Sequence, residues 1–271
     1  MTRIIGLAAL ARSGKDTVAS MLLEHDGVAA FALADPLKAG CQALFGLTSD
    51  EAWNDDKKEE IIPHWSLSPR QMFQQVGTEW MRNHNPEHWL MRADKEITHS
   101  HDQVTPSASP ADLAQLDAPI RLASQAFFGL TNEQTWSHAA LDVRDEYWAM
   151  SPSEIFELVA KLSELHIPDF LEKRASQEVK LPERKELNLK SQRVIIIKDI
   201  RFENEAEFWR SHGGVIWHIQ RHNASKVNQH ASELGIKVDE QDTIVKNNGT
   251  LAELKIQVDR AWLSLMANTS P

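Results

Sequence analysis

Gly6-Leu7-Ala8-Ala9-Leu10-Ala11-Arg12-Ser13-Gly14-Lys15-Asp16-Thr17, directly after Arg3-Ile4-Ile5, is the stretch on which the fold turns. It reads as a buried strand, a tight loop ending in Gly-Lys, and a helix beginning Asp16-Thr17-Val18-Ala19. That is the layout of a phosphate-binding loop, in which backbone N–H groups and a helix N-terminus cradle phosphate oxygens. Lys15 adds a point charge for the outer phosphates. Two positions depart from the usual form: Ala9 stands where a glycine is common, and Asp16 where Ser or Thr follows the Lys.

Outward from this loop, residues 36–45 suggest a helix with Pro36 in its first turn, preceded by Asp35 at the end of a second strand. Ser68-Pro69 starts a helix running to about Arg82, and Asn85-Pro86-Glu87 opens another to about Ile97. Residues 99–110, rich in Ser, Pro and Asp, read as a linker, and 172–190 is a charged stretch. Val194-Ile195-Ile196-Ile197 is a strong strand ending at Lys198-Asp199-Ile200-Arg201. An acid there has the form of a carboxylate that holds or orients Mg²⁺, and equally of a helix cap. A helix over 203–212, a Gly213-Gly214 turn, strands at 215–219 and 243–245 and a closing helix over 250–266 complete the chain. The alternation predicts an α/β fold, a parallel sheet with helices on both faces. Its ligands would sit at the strand C-terminal ends, where the loop, Asp35 and Asp199 converge.

The chain has 271 residues, 42% of them hydrophobic, enough for one good core with a sizeable insertion. The single cysteine, Cys41, excludes an internal disulfide framework, fits a reducing compartment and reads as a small helix residue. The apolar run after Arg3 is too short for a leader and is broken by Arg12, and no run reaches membrane-spanning length. A cytoplasmic protein without a membrane partner is expected. The net charge of −10, with no basic block, disfavours nucleic acid as a partner. A few clustered Arg and Lys still suffice for one small anionic ligand.

Residues 36–76 align without a gap to 119–159 at a constant offset of 83, with 13 of 41 positions identical. Chance would give about two or three at ordinary residue frequencies. The clearest match is Phe45-Gly46-Leu47-Thr48-x4-Trp53 against Phe128-Gly129-Leu130-Thr131-x4-Trp136. Residues kept in both copies are mostly apolar, aromatic, Gly or Pro, as packing and turns require. The polar ones diverge: Asp35 faces Ala118, Arg70 faces Ser153, Gln75 faces Leu158 and Glu79 faces Leu162. Copy one is therefore expected to be the working copy and copy two a packing module.

Together the segments 11–17, 34–38, 68–70, 75–79 (Gln75-Val76-Gly77-Thr78-Glu79), 199–205, 230–233 and 247–251 resemble phage-type deoxynucleoside monophosphate kinases, a branch of the P-loop kinases. The resemblance covers 1–97 and 193–265 in order. It implies a P-loop kinase-like core of residues 1–97 and 193–271, with acceptor-binding helices over 36–97. Residues 98–192 become an insertion carrying the duplicate. It further implies Mg-ATP-dependent transfer of the γ-phosphoryl group to a deoxynucleoside 5′-monophosphate, giving the diphosphate. Ala11, Arg12, Ser13, Gly14, Lys15, Asp16 and Thr17 would bind ATP, with Lys15 as the phosphate clamp. Asp16, Thr17 and Asp199 would bear on Mg²⁺, directly or through water. Asp35, Lys38, Arg70, Gln75, Thr78, Glu79, Arg82 and His230 would bind the acceptor, and Arg201 would stabilise transferring charge or pair with Glu205. A homodimer and, for a phage protein, the host cytoplasm also follow from the resemblance. Two other readings compete: a P-loop kinase of another acceptor (a modified base in DNA or a cofactor precursor), and a non-catalytic nucleotide-binding protein. The base accepted and the role of 98–192 are not written in any short motif.

Overall fold

A computed structural model describes residues 2–10, 13–98, 105–183, 189, 192–222 and 236–267, with the backbone alone at 199. In chain order the elements are β1 (Arg3–Ala9), α1 (Lys15–Leu23), β2 (Val28–Ala32), α2 (Ala34–Phe45), α3 (Ser49–Trp53) and α4 (Pro69–Gln74). A π-helical segment (Gln75–Arg82) continues α4 and is followed by α5 (His88–Thr98), α6 (Pro110–Leu113), α7 (Ala118–Phe128), α8 (Asn132–Trp136), α9 (Pro152–His166) and α10 (Phe170–Ala175). The chain closes with β3 (Val194–Ile200), α11 (Glu203–Ser211), β4 (Val215–Gln220), β5 (Thr243–Lys246) and α12 (Leu251–Ala267). The contacts divide the molecule into two compact units, residues 1–33 with 187–271, and residues 34–186. Which residues pack together is a different question from which were inserted, so the core-and-insertion division stays an expectation.

The first unit is the expected α/β sheet, five strands in the order β2-β3-β1-β4-β5, every described pairing parallel. Its strands are apolar on both faces because helices cover both. Ile5, Leu7, Val194, Ile196, Trp217 and Ile219 face α1 and α12, meeting Val18, Leu22, Leu254 and Val258. Residues on the opposite face, such as His218, look toward α11. The connection from β1 runs to β2 at one edge of the sheet, and that from β3 crosses past β1 to β4 on the other side. Such reversals open a crevice at the strand C-terminal ends.

In the second unit the duplication is visible bond by bond. Gly46 and Gly129 are both left-handed, at φ +63° and +61°, as are Ser66 and Ala149 at +57° and +53°. Thr48 with Glu51 and Thr131 with Gln134 form equivalent capping boxes, as do Ser68 with Gln71 and Ser151 with Glu154. Trp65 Nε1 donates to Phe45 O at 2.9 Å, and Trp148 Nε1 to Phe128 O at 2.7 Å. The lead helices α2 and α7 pack on each other around Gly40, where a Cβ would overlap the Phe127 ring.

The equivalence reaches beyond the aligned segments, with the offset falling to 82: Pro86, His88 and Arg92-Ala93 correspond to Pro168, Phe170 and Arg174-Ala175. These closing helices are exchanged. α5 follows copy one, yet His88 packs on Phe128 and Trp148 of copy two, at ring distances of 4.8 and 5.1 Å. α10 follows copy two, yet Phe170 packs on Phe45 and Trp65 of copy one, at 6.3 and 5.8 Å. Tyr147 Oη donates to Met91 O at 2.8 Å, and His64 Nε2 makes the matching 2.9 Å contact with Lys173 O.

Two expectations change in detail. Asp35 lies in the first turn of α2, after β2 has ended at Ala32, where a carboxylate complements the helix dipole. The helix expected through Arg82 turns π-helical at Gln75. There the absence of a side chain at Gly77 matters: a Cβ would come within 2.9 Å of Leu37 Cδ2. The loosened turn leaves Gly77 O to accept from Trp89 Nε1 at 2.9 Å.

Candidate active site

The loop between β1 and α1 has the local geometry an anion requires. Gly14 is the N-cap of α1 with φ +92°, and no side chain caps the helix, so its first N–H groups keep no internal acceptor from that source. Only glycine fits: a Cβ at this position would be strained and would also overlap Asn247 Nδ2. Asn247 Nδ2 in turn donates to Ser13 O at 2.9 Å, and its own N–H donates to Gln220 O at 2.8 Å. The end of β5 therefore holds the peptide between Ser13 and Gly14 in place. Ser13 Oγ is buried and has no hydrogen-bond partner among the described residues. Lys15 opens α1 half-buried, Asp16 is exposed in its first turn, and Thr17 is half-buried. Ala11, Arg12 and, elsewhere in the chain, His230 lie outside the described residues.

Beside this loop, β3 carries an irregularity. Gly6 pairs with Ile197 and Ala8 with Ile200, so β3 holds one extra residue across Lys198-Asp199. Bulges of this kind re-aim side chains near active sites. The backbone of Asp199 thus lies at the C-terminal end of β3, next to β1. Arg201 is exposed just beyond, and its N–H donates to Glu205 Oε2 at 2.8 Å. The Phe202 N–H donates to the same oxygen at 3.2 Å, so Glu205 caps the start of α11. Among the described residues no cluster of three His, Cys, Asp or Glu could cage a metal. Mg²⁺ ordinarily needs one or two carboxylates plus substrate phosphates and water, so the donor types at this end of the sheet suit it.

A charged cluster steadies the far side of the sheet. Asp242, fully buried, accepts from Arg210 at 2.6 Å and contacts His218 Nε2 at 2.8 Å, while Arg210 reaches Glu203 at 3.3 Å. Burial works against the Asp242 carboxylate, but the Arg210 bond, the Asp239 N–H and His218 together hold its pKa below the ordinary value. Sequence reading singled out none of these groups, since they come from three separate segments.

Apart from His230, the expected acceptor-side residues fall in the second unit, on α2, α4 and the π segment, which pack together. Lys38 lies over the Trp53 ring at 5.4 Å. Arg70 is ion-paired through Nε with Glu59. Copy two has a related arrangement without the cation, Ser153 Oγ donating to Asp142 Oδ1 at 2.8 Å. Gln75 Oε1 is buried with no donor, at the position where copy two carries Leu158. Thr78 and Glu79 are exposed on the π segment, and Arg82 is half-buried at its end. Asp35 is half-buried at the start of α2. Asn247, part of the 247–251 segment but assigned no role in sequence reading, is a working residue of the loop; its place in an Asn-Asn-Gly turn after a strand is the available signal.

Residues 179–258 match the family model described as "Deoxynucleotide monophosphate kinase". The chain is 24% identical over 259 residues to a putative deoxynucleotide monophosphate kinase of Acanthamoeba polyphaga mimivirus, covering 94% of this chain and 93% of that protein. It is also 28% identical over 65 residues to the deoxynucleotide monophosphate kinase of Escherichia phage RB69, covering 24% of this chain and 27% of that one.

Proposed function

We propose, from the kinship of this chain with the deoxynucleotide monophosphate kinases, that it transfers the γ-phosphoryl group of ATP to a deoxynucleoside 5′-monophosphate, giving the diphosphate. The observation that carries this reading is the β1–α1 loop: a left-handed Gly14, an uncapped helix start and the buried, partnerless Ser13 Oγ. Backbone N–H groups there favour polyphosphate, and Lys15 neutralises the outer phosphate as charge moves in the transition state. Ala11, Arg12, Ser13, Asp16 and Thr17 complete the donor loop. Asp16, Thr17 and Asp199 are the groups that would bear on Mg²⁺, directly or through water, and the ion would supply charge neutralisation between the outer phosphates.

On the acceptor side, Arg70 offers a fork that matches a phosphate, and Gln75 offers an acceptor awaiting a donor such as an amide or amine on a base. Asp35, Lys38, Thr78, Glu79, Arg82 and His230 complete the acceptor set, and Arg201 would stabilise the transferring charge. A nucleotide phosphate is itself nucleophilic near neutral pH, so no strong general base is required and positioning carries the catalysis.

The test is ADP release with Mg-ATP against a panel of deoxynucleoside and ribonucleoside monophosphates, canonical and modified. Turnover with one or a few deoxynucleotides is expected, abolished by Lys15→Ala and strongly reduced by Arg70→Ala. Turnover surviving Lys15→Ala would refute the reading. ATP binding without turnover on any member would favour another acceptor.

A further inference from the structure

Residues of α2, the turn after it and the segment following α10 enclose a pocket of about 480 Å³ in the second unit, away from the β1–α1 loop in sequence. That volume is within the range of small-molecule sites, about 300–1,000 Å³. Its wall includes Arg174, only 4% exposed. Nη1 of Arg174 donates to Gln177 O at 3.0 Å, and Nη2 donates to Ala43 O at 3.2 Å and Glu178 O at 3.5 Å. Every acceptor is a neutral carbonyl. Among the described residues Nε has no acceptor, and Gln177 Oε1, also on the pocket wall, has no donor. Burial with no opposing charge pushes the guanidinium pKa down to about 10.

The related site in the same unit shows what is missing. Arg92 is the equivalent arginine, reaching Ala126 O at 2.9 Å as Arg174 reaches Ala43 O. Gly129 beside Arg92, like Gly46 beside Arg174, leaves room for the guanidinium. But Arg92 also holds Glu96 at 2.7 Å, both buried. Glu178 occupies the place of Glu96 and turns outward to Lys180 at 2.9 Å, both groups being about three-quarters exposed. The remaining carboxylate on the wall, Glu183, is bonded to Ser49. Among the described residues no carboxylate pairs with Arg174. An arginine buried without a counter-ion is costly, and here the cost coincides with an open cavity.

We propose that this pocket binds a small oxyanion, a phosphate or a carboxylate, which gives Arg174 the counter-charge that Glu96 gives Arg92. A donor group on the same ligand would satisfy Gln177 Oε1. The proposal rests on the two related arginines and not on the kinase reading, so either can fail alone.

The test uses the full chain carrying Lys15→Ala, which weakens the phosphate loop as a competing anion site. Calorimetric titration with inorganic phosphate and, separately, with acetate is expected to show saturable binding of one of them, which distinguishes the two sources. Arg174→Met should abolish that binding and Arg174→Lys retain it within about tenfold. Because Arg174→Met removes three tethers and can fail to fold, wild-type crystals grown with tungstate provide a second readout. An anomalous peak beside Arg174 is the expected result. The proposal is overturned if neither anion binds, if binding persists unchanged in folded Arg174→Met, or if tungstate appears only at the β1–α1 loop. It is also overturned if Glu178 is found folded in against Arg174.

Discussion

Between residues 36–76 and 119–159 the backbone bonds coincide almost one for one, while the side chains that could meet a ligand do not. The turns at Gly46 and Gly129, the paired capping boxes and the Trp65 and Trp148 bonds recur with the same partners. Arg70 and Gln75 have become Ser153 and Leu158, and the π segment of copy one has become the regular helix α9. The exchanged helices differ in the opposite sense. Against copy two, α5 brings Arg92, Asp94, Lys95 and Glu96, all largely buried, with Tyr147 Oη donating to Asp94 at 2.8 Å and Lys95 holding Asp145 at 2.9 Å. Against copy one, α10 and the residues after it bring Arg174 with Ser176, Gln177 and an outward Glu178. Around copy two the largely buried cations Arg92 and Lys95 thus meet carboxylates of the chain itself, while Arg174, brought to copy one, meets none among the described residues. A duplicated scaffold of this kind separates what packing demands from what a ligand demands.

The sharpest way to break the comparison is to exchange the diverged residues. Arg70→Ser gives copy one the residue of copy two and, on the proposed role of Arg70 toward the acceptor phosphate, should lower kcat/KM for the monophosphate about 1,000-fold. Ser153→Ala should change it less than about twofold; equal effects would mean that copy two works as well. Next in size is a stability effect. Glu96→Gln strands the buried Arg92 and should cost about 3 kcal/mol in urea unfolding. Glu178→Gln, at an exposed position, should stay within about 0.5 kcal/mol.

A second stability effect concerns pH. Burial first, and Arg92 next, push the His88 pKa down from 6.5 to about 3. As pH falls from 6.5 toward 3, the unfolded chain takes up a proton that the folded chain refuses. Stability should therefore fall by up to about 1.4 kcal/mol per pH unit across that window. His88→Phe, which installs the residue found at 170, should remove that part of the slope in urea titrations between pH 4 and 6. An unchanged slope would show that His88 is not held neutral.

How far the sequence could be read follows from the range of each interaction. The strand–loop–helix at the start of the chain, the succession of apolar runs that builds a parallel sheet and the duplication are local or repeated patterns, and each was legible. The π segment was not, because Gln75–Arg82 has ordinary helical spacing; only the close approach of Gly77 to Leu37 distinguishes it. The exchange of α5 and α10 was hidden by the one-residue change of offset and by the replacement of His88 with Phe170. Asn247 and Ser13 lie 234 positions apart, and no pattern in either segment announces their bond. The second copy set Arg70 and Gln75 apart from packing residues, because their counterparts are Ser153 and Leu158, whereas Asp35 was also marked by its place after the second strand.

The exchange of closing helices also sets the order in which this chain can be built. On a ribosome, residues 36–76 emerge long before Phe170, the ring that stacks on Trp65 and meets Phe45 edge-on. Copy one cannot complete its aromatic cluster until nearly the whole of residues 34–186 has been synthesised, whereas copy two finds α5 already waiting when Trp148 emerges. Maturation should then run from the second copy back to the first, against the direction of translation, so that the copy carrying Arg70 and Gln75 is the last to set.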